Sequence, residues 1–277
     1  MLYPWFGNII ARRKKKKAVK LKRVPLYCFF IILPLLAAQG GHSSDEFPWQ
    51  KIEEGLEFKA AQIDGQPYES LIKLKVLRVG LEKFQVRVLD TRDYGTDRME
   101  IRLLAKKAQA LAAINGGFFT PEYRPLGLLI VDGREVNPLR RADWGVFLIQ
   151  ENRPRIIHTS EFQNDRNISQ AMQVGPRLVV NGRELQMKRQ MARRSALGVT
   201  MKYQLILLST DDTDVYAQDL ARIFHLPESR GGLECRDAMV LDGGPSAQMY
   251  AEYKGLKIDI PGGWGVPNGI GVFKRKP

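Results

Sequence analysis

Two short stretches each end an apolar run in a single polar side chain followed by a glycine pair. They are Ala-Ile-Asn-Gly-Gly-Phe-Phe at 113–119 and Val-Leu-Asp-Gly-Gly-Pro-Ser at 240–246. Each run reads as a buried strand, so Asn115 and Asp242 are delivered at strand ends. Glycines there permit positive φ and close backbone approach, and their N–H groups can converge into an anion-binding concavity. Asn-Gly and Asp-Gly are also common hairpin signals. The flanking residues argue for more than a turn: Phe118 and Phe119 follow one pair, Pro245 and Ser246 the other. With Arg193 and Arg194 between the two stretches, the pattern points to a pocket for a phosphorylated or otherwise anionic small molecule.

The elements that must position these groups follow from spacing. Residues 70–79 and 83–90 alternate apolar and polar side chains and read as an antiparallel pair with one solvated face. Between 97 and 112, Ile101, Leu104, Ala105, Ala108, Leu111 and Ala112 recur at three and four, which predicts an amphipathic helix with Asp97 and Glu100 capping its start. That helix runs almost directly into the strand that carries Asn115. Leu129–Val136 and Leu178–Leu185 resemble each other and read as hairpins about Asp132-Gly133 and Asn181-Gly182. Strands follow at 144–150, 197–200 and 204–209, and a second helix at 215–224, while 47–64 is irregular. Pro267-Asn268-Gly269 reads as a turn at the surface or at the rim of the pocket. The sum is an α+β fold: a mixed, mostly antiparallel sheet with a few helices and a single catalytic domain over 45–277.

Bulk charge first suggests a nucleic-acid partner, since the chain carries 43 basic and 30 acidic residues for a net +13. Nine of those basic residues lie in 1–44, which has no acidic residue, leaving 34 against 30, or +4, for the rest. A phosphate-backbone binder needs a dense basic stripe, so no nucleic-acid partner is expected. The basic block leads into an apolar run at 24–38 and then small and polar residues, the layout of a secretory signal peptide. The run is short for a bilayer span, and a retained membrane anchor is the alternative, the one membrane contact expected. The domain is therefore expected to be exported, periplasmic or extracellular. Cys28 lies in the leader and Cys235 has no neighbouring His, so Cys235 reads as structural. His42, His158 and His225 stand far apart, and neither a His-based zinc site nor a Ser-His-Asp triad is supported.

The order of motifs is more specific than any one of them. Asn115-Gly-Gly-Phe-Phe119, Pro125-Leu-Gly-Leu128, Gly175-Pro-Arg-Leu178, Arg194-Ser-Ala-Leu-Gly198, Leu241-Asp-Gly-Gly-Pro-Ser246 and Val266-Pro-Asn268 together resemble the phosphodiester glycosidase family across 101–272. The resemblance implies a hydrolase that cleaves a glycosyl 1-phosphodiester, with a carbohydrate phosphodiester as its partner. It places the family's Asn on Asn115, its Arg and small hydroxylated residue on Arg194 and Ser195, its Asp on Asp242 and its motif Ser on Ser246. One departure matters: Pro245 stands where the family usually has a third glycine, which removes a backbone donor. A phosphate cradle would then rely on Gly243 and Gly244. A non-catalytic envelope glycan-binding or assembly module with the same pocket is the alternative that Pro245 favours.

The chemistry sets roles for these residues. Arg194 is the phosphate fork, because its planar guanidinium grips two oxygens at once. Asp242 is the catalytic carboxylate, as general base or nucleophile. A partner carboxylate is expected for glycoside chemistry, and Asp211, Asp212 and Glu122 are the candidates, with no means of choosing among them. Such a pair could equally hold a divalent cation against the phosphate, though no cofactor is required by the sequence. Asn115, Gly116, Gly117 and Ser246 would orient hydroxyls or phosphate oxygens, with Asn268 at the rim.

Overall fold

Strand after strand in this chain is apolar on both faces, and the packing explains why. In the Ile72–Val79 strand, Ile72, Leu74 and Val76 join one hydrophobic cluster while Leu77 and Val79 join another. The Leu205–Thr210 and Ser195–Thr200 strands are buried along their whole length by the same division. A strand covered on both sides cannot show clean alternation. The computed structural model describes residues 48–275, and the expected leader and anchor at 1–44 lie outside the described residues.

One sheet has eight strands in the order Gln50–Glu53, Leu56–Ile63, Ile72–Val79, Leu205–Thr210, Ser195–Thr200, Cys235–Val240, Arg177–Val180 and Arg183–Glu184. A five-stranded sheet runs Leu256–Ile260, Met249–Tyr253, Ala112–Asn115, Asn268–Lys274 and Phe84–Asp90. A second five-stranded sheet runs Arg134–Asn137, Leu129–Val131, Ile168–Val174, Gly145–Gln150 and Arg153–His158. The ladders within all three are antiparallel, in keeping with the expected α+β class, and the balance lies well toward β.

All three sheets turn one face to a shared core that includes Leu77, Phe84, Ile114, Phe147, Met172, Leu207, Met239 and Ile270. The two helices cover outer faces. Helix α1 (Ile101–Ala108) lays Ile101, Leu104 and Ala105 on Ala113 and Tyr250, and helix α2 (Ala217–His225) packs Leu220, Ile223 and Phe224 against Ala196, Leu208 and Val240. Cys235 is buried in that second cluster, and burial pushes its thiol well above the ordinary range, as suits a structural residue.

Several local expectations change. Residues 50–63 form a hairpin, not an irregular entrance, with Gly55 at φ 82 in its turn. The strands at 72–79 and 84–90 do not pair with each other: the first joins Leu56–Ile63 and Leu205–Thr210, the second joins Asn268–Lys274. Both point apolar residues at the shared core, so they belong on opposing sheets across it. Helix α1 receives no side-chain cap from Asp97 or Glu100; a distant residue, Gln248, accepts the Ile101 N–H on its Oε1 at 2.9 Å. Helix α2 starts at Ala217, because Val215–Tyr216 forms a short strand with Met191–Ala192. The two similar hairpins are both present, with positive φ at Asp132, Gly133, Asn181 and Gly182, and they lie in different sheets.

Candidate active site

Arg194 and Asp242 are 48 positions apart, yet strand register brings their backbones to adjoining strand ends. The Ser195–Thr200 and Cys235–Val240 strands pair Ala196 with Val240 and Leu197 with Met239. The ladder continues through a Leu241 N–H donated to the Ser195 carbonyl at 2.8 Å. One further step brings Arg194 and Asp242 to neighbouring backbone positions just past the end of the ladder. The two side chains make no ion pair with each other. Arg194 Nη2 donates to the Gln190 carbonyl at 2.7 Å, while Nε is buried without a partner. Burial pulls the guanidinium below its ordinary value, partly opposed by Asp214, an acidic neighbour not singled out from the sequence. Arg193 donates to the carbonyls of Pro261 (2.6 Å) and Ala247 (3.4 Å), and its Nε is likewise buried without a partner.

Asp242 is half-buried, and desolvation raises its carboxyl above the ordinary 3.8. Hydrogen bonds from the Ser246 hydroxyl and the Gly243 N–H partly counter that rise. Ser246 is itself 1% exposed and accepts from Trp264 Nε1 at 2.9 Å, and the same hydroxyl draws the Asp242 carboxyl down, so Ser246 stands between Trp264 and Asp242. Trp264, flanked by Gly262-Gly263 and Gly265, was not singled out from the sequence; a large aromatic among glycines was the available signal.

The backbone of this turn is not the expected phosphate cradle. Gly244 N–H goes to the Arg193 carbonyl at 2.8 Å, Ser246 N–H goes to the Gly243 carbonyl at 3.2 Å and Pro245 has none, which leaves only the Gly243 N–H, beside the Asp242 carboxylate. Anion binding here falls mainly to side chains. Gly243 is glycine for room, since a Cβ would lie 2.9 Å from the Arg193 carbonyl, and Gly244 is glycine for its φ of +58°.

The first glycine turn does different work. Asn115 is wholly buried, and both ends of its amide are spent on backbone: Nδ2 donates to the Asp242 carbonyl at 2.7 Å and Oδ1 accepts the Gln248 N–H at 3.1 Å. It is a clamp that ties one turn to the other. The Gly116 carbonyl accepts the Asp242 N–H at 2.9 Å, a second tie. Gly116 and Gly117 donate to the carbonyl and the Oδ1 of Asn268, at 3.1 and 2.8 Å. Asn268 is not a surface turn or a rim residue; it begins a central strand, is 1% exposed, and keeps its Nδ2 without a partner. Gln248, unremarked in the sequence, is the hub, linking Asn115, Ile101 and the Trp264 carbonyl.

The remaining candidates lie aside. Ser195 is fully buried with its hydroxyl 3.4 Å from Ser209 Oγ. Asp211 is ion-paired to Lys75 at 3.0 Å, Asp212 is exposed in a left-handed turn, and Glu122 is exposed on the Thr120–Arg124 turn. None of these three carboxylates perturbs Asp242. Among the described residues no three His, Cys, Asp or Glu side chains cluster in a way that would hold a metal. His158 is not isolated, sitting 3.0 Å from Asp143, but it belongs to a strand end on another sheet. A cleft of about 440 Å³ lies at the opposite ends of the two site strands, beside Val199 and Asp237. Its four arginines face Glu151, Glu161 and Asp237, which leaves it little net charge.

Comparison with known proteins bears on this arrangement. The sequence profile described as phosphodiester glycosidase matches residues 108–273, a span that holds both glycine turns, Arg194 and Trp264. An uncharacterised protein of Escherichia coli K12, YigE, is 30% identical over 98 residues, which are 32% of this chain and 39% of that protein. The match thus spans about two fifths of the relative's length. Among solved structures, a hypothetical protein from Synechocystis superposes with a TM-score of 0.58 at 15% identity, over 82% of this chain and 64% of that one. The zebrafish N-acetylglucosamine-1-phosphodiester alpha-N-acetylglucosaminidase catalytic domain, auto-inhibited by its pro-peptide, superposes with a TM-score of 0.61 at 19% identity, over 82% and 86%. At these identities the two superpositions establish a shared fold. Among the described residues no helix is long and apolar enough to cross a membrane.

Proposed function

The chain belongs to the phosphodiester glycosidase family, and from that membership we propose that it is an exported hydrolase cleaving a glycosyl 1-phosphodiester in a sugar-phosphate-linked glycan or glycoconjugate. The observation that carries the reading is the register that brings Asp242, a half-buried carboxylate with a raised pKa, and Arg194, a half-buried arginine whose Nε has no partner, to adjoining strand ends.

Bond breakage at the anomeric carbon sends an electron pair to the phosphate oxygen, and a phosphate ester anion departs without being protonated. Its charge needs matching, which suits Arg194. Chemistry of this kind needs one base and no separate acid. A two-step route through a glycosyl-enzyme would need a second group to activate water after Asp242 had become the nucleophile. Asp211 is paired with Lys75, and Asp212 and Glu122 are exposed, which favours direct displacement. Asp242 takes a proton from water, the oxygen bonds to the anomeric carbon, and the configuration inverts. Asn115 holds the catalytic carboxylate's backbone and is a positioning residue. Export rests on the N-terminal segment and is part of the proposal.

Turnover of a synthetic sugar 1-phosphodiester in oxygen-18 water tests this. Label in the sugar, with inverted configuration at first release, is expected. Label in the phosphate would mean attack at phosphorus and would remove Asp242 from the role given to it. The alternative of a binding module without catalysis is favoured by Pro245 and the spent N–H groups of its turn. Saturable sugar-phosphate binding with no product would decide for it.

A further inference from the structure

We propose that Trp264 is the platform on which the sugar ring of the substrate stacks, and that Pro245 is retained because it holds this platform in place. The inference rests on the hydrolase reading for its position beside Asp242, but not for its physics.

Trp264 is 49% exposed, which is unusual for the largest apolar side chain in a well-packed fold. It is also fixed. Its Nε1–H donates to Ser246 Oγ at 2.9 Å, its carbonyl accepts from Gln248 Nε2 at 2.8 Å, and the Gly263 N–H before it donates to the Pro245 carbonyl at 2.7 Å. The loop lies close against its supports: a Cβ on Gly262 would come within 2.5 Å of the Gln248 side chain, and one on Gly263 within 2.8 Å of Pro245 Cβ. No described aromatic ring or cation stacks on the indole, unlike Trp49 under Arg78 and Trp144 against Phe118. An exposed indole anchored by its polar edge offers a face, at little entropic cost, to a ligand with an apolar face of its own. Sugar rings have such a face, where axial C–H groups carry partial positive charge toward the negative face of the π system. The Ser246 hydroxyl that holds the indole also bears on Asp242, which puts a ring stacked on Trp264 on the side of the site that holds the carboxylate.

Pro245 now has a use. A third glycine would add an N–H to the turn, whereas proline fixes φ in the Gly244–Ser246 turn and with it the carbonyl that pins Gly263. The chain has exchanged a backbone donor for a rigid ring platform, which shifts recognition from phosphate toward sugar.

The test uses binding and turnover side by side on the full chain, with glucose 1-phosphate, methyl α-glucoside and inorganic phosphate as probes. The Trp264 indole N–H resonance is assigned by its loss in Trp264→Phe. Both sugars are expected to shift it and inorganic phosphate to leave it unmoved. Trp264→Ala is expected to weaken glucose 1-phosphate binding about tenfold, raising KM more than it lowers kcat, while Trp264→Phe recovers most of the affinity. Pro245→Gly is expected to broaden the indole resonance and weaken both sugars by a smaller factor. If the sugars bind but Trp264→Ala binds them as wild type does, the platform is overturned while the hydrolase reading stands. If methyl α-glucoside shifts Trp264 but no phosphodiester is cleaved, the hydrolase reading falls and the platform stands. Failure of both sugars to bind at millimolar concentration overturns the platform.

Discussion

The two glycine turns look alike in sequence and divide their labour. Asn115-Gly116-Gly117 is interior scaffolding: its side chain, both glycine N–H groups and one carbonyl are all bonded to protein. Asp242-Gly243-Gly244 sits on that scaffold and presents a carboxylate that is only half-buried. The glycines differ in kind as well. Those of the first turn have ordinary φ and are needed for closeness, with a Cβ on Gly116 falling 2.1 Å from Asn268 Oδ1. Gly244 stands in open space and is needed for its positive φ. A turn motif therefore reports that glycine is required, and the surroundings decide whether the reason is packing, backbone conformation or a ligand.

The sharpest way to separate the turns is to neutralise the carboxylate of one and truncate the amide of the other. Asp242→Asn should cut turnover by about 10²–10⁴-fold, the usual worth of a general base. It should also melt higher at neutral pH. Burial raises the Asp242 carboxyl above 3.8, so the folded protein binds that proton more tightly than the unfolded chain does. This favours folding below the unfolded value and is lost as pH rises through the folded one, leaving a buried anion that opposes folding at pH 7. Melting curves of the two proteins should converge as pH falls below 3.8. Wild-type kcat/KM should fall with acid through the raised value. A variant that melted lower at pH 7 would show that the ionised carboxylate is held by more than Ser246 and Gly243.

Asn115→Ala should act in the opposite sense, costing about 2–5 kcal/mol in urea denaturation because it strands a buried carbonyl and a buried N–H. Full stability in that variant would refute the clamp. Gly116→Ala should cost about 1–3 kcal/mol through overpacking against Asn268 and Met172. Gly244→Ala, with space around it, should cost the smaller backbone strain of about 1–2 kcal/mol and slow turnover by tilting Asp242. Equal stability losses in the two alanine variants, with equal effects on rate, would erase the distinction between the turns.

Much of this was legible in the residues. Spacing marked both helices, the two similar hairpins and most strands, and the order of motifs marked the family. The turn at Asp242 and the basic pair at 193–194 stood out as a candidate site because a carboxylate and two arginines lie at strand ends. Less legible was anything decided by a distant partner. Asp97 and Glu100 carried a local capping signal, yet Gln248, almost 150 residues away, satisfies the helix. Asn268 carried a turn signal in Pro-Asn-Gly, but its amide is used inside the molecule, where Gly116 and Gly117 need acceptors.

By itself the sequence determined which residue types stand at strand ends, because alternation, glycine and charge are local properties written along the chain. The tertiary structure alone decided that Arg194 and Asp242 come to adjoining strand ends, that Asn115 is spent on backbone and that Trp264 is held by Ser246. Those facts depend on sheet register and on which buried donors and acceptors find each other, and both are settled only when segments far apart along the chain pack together.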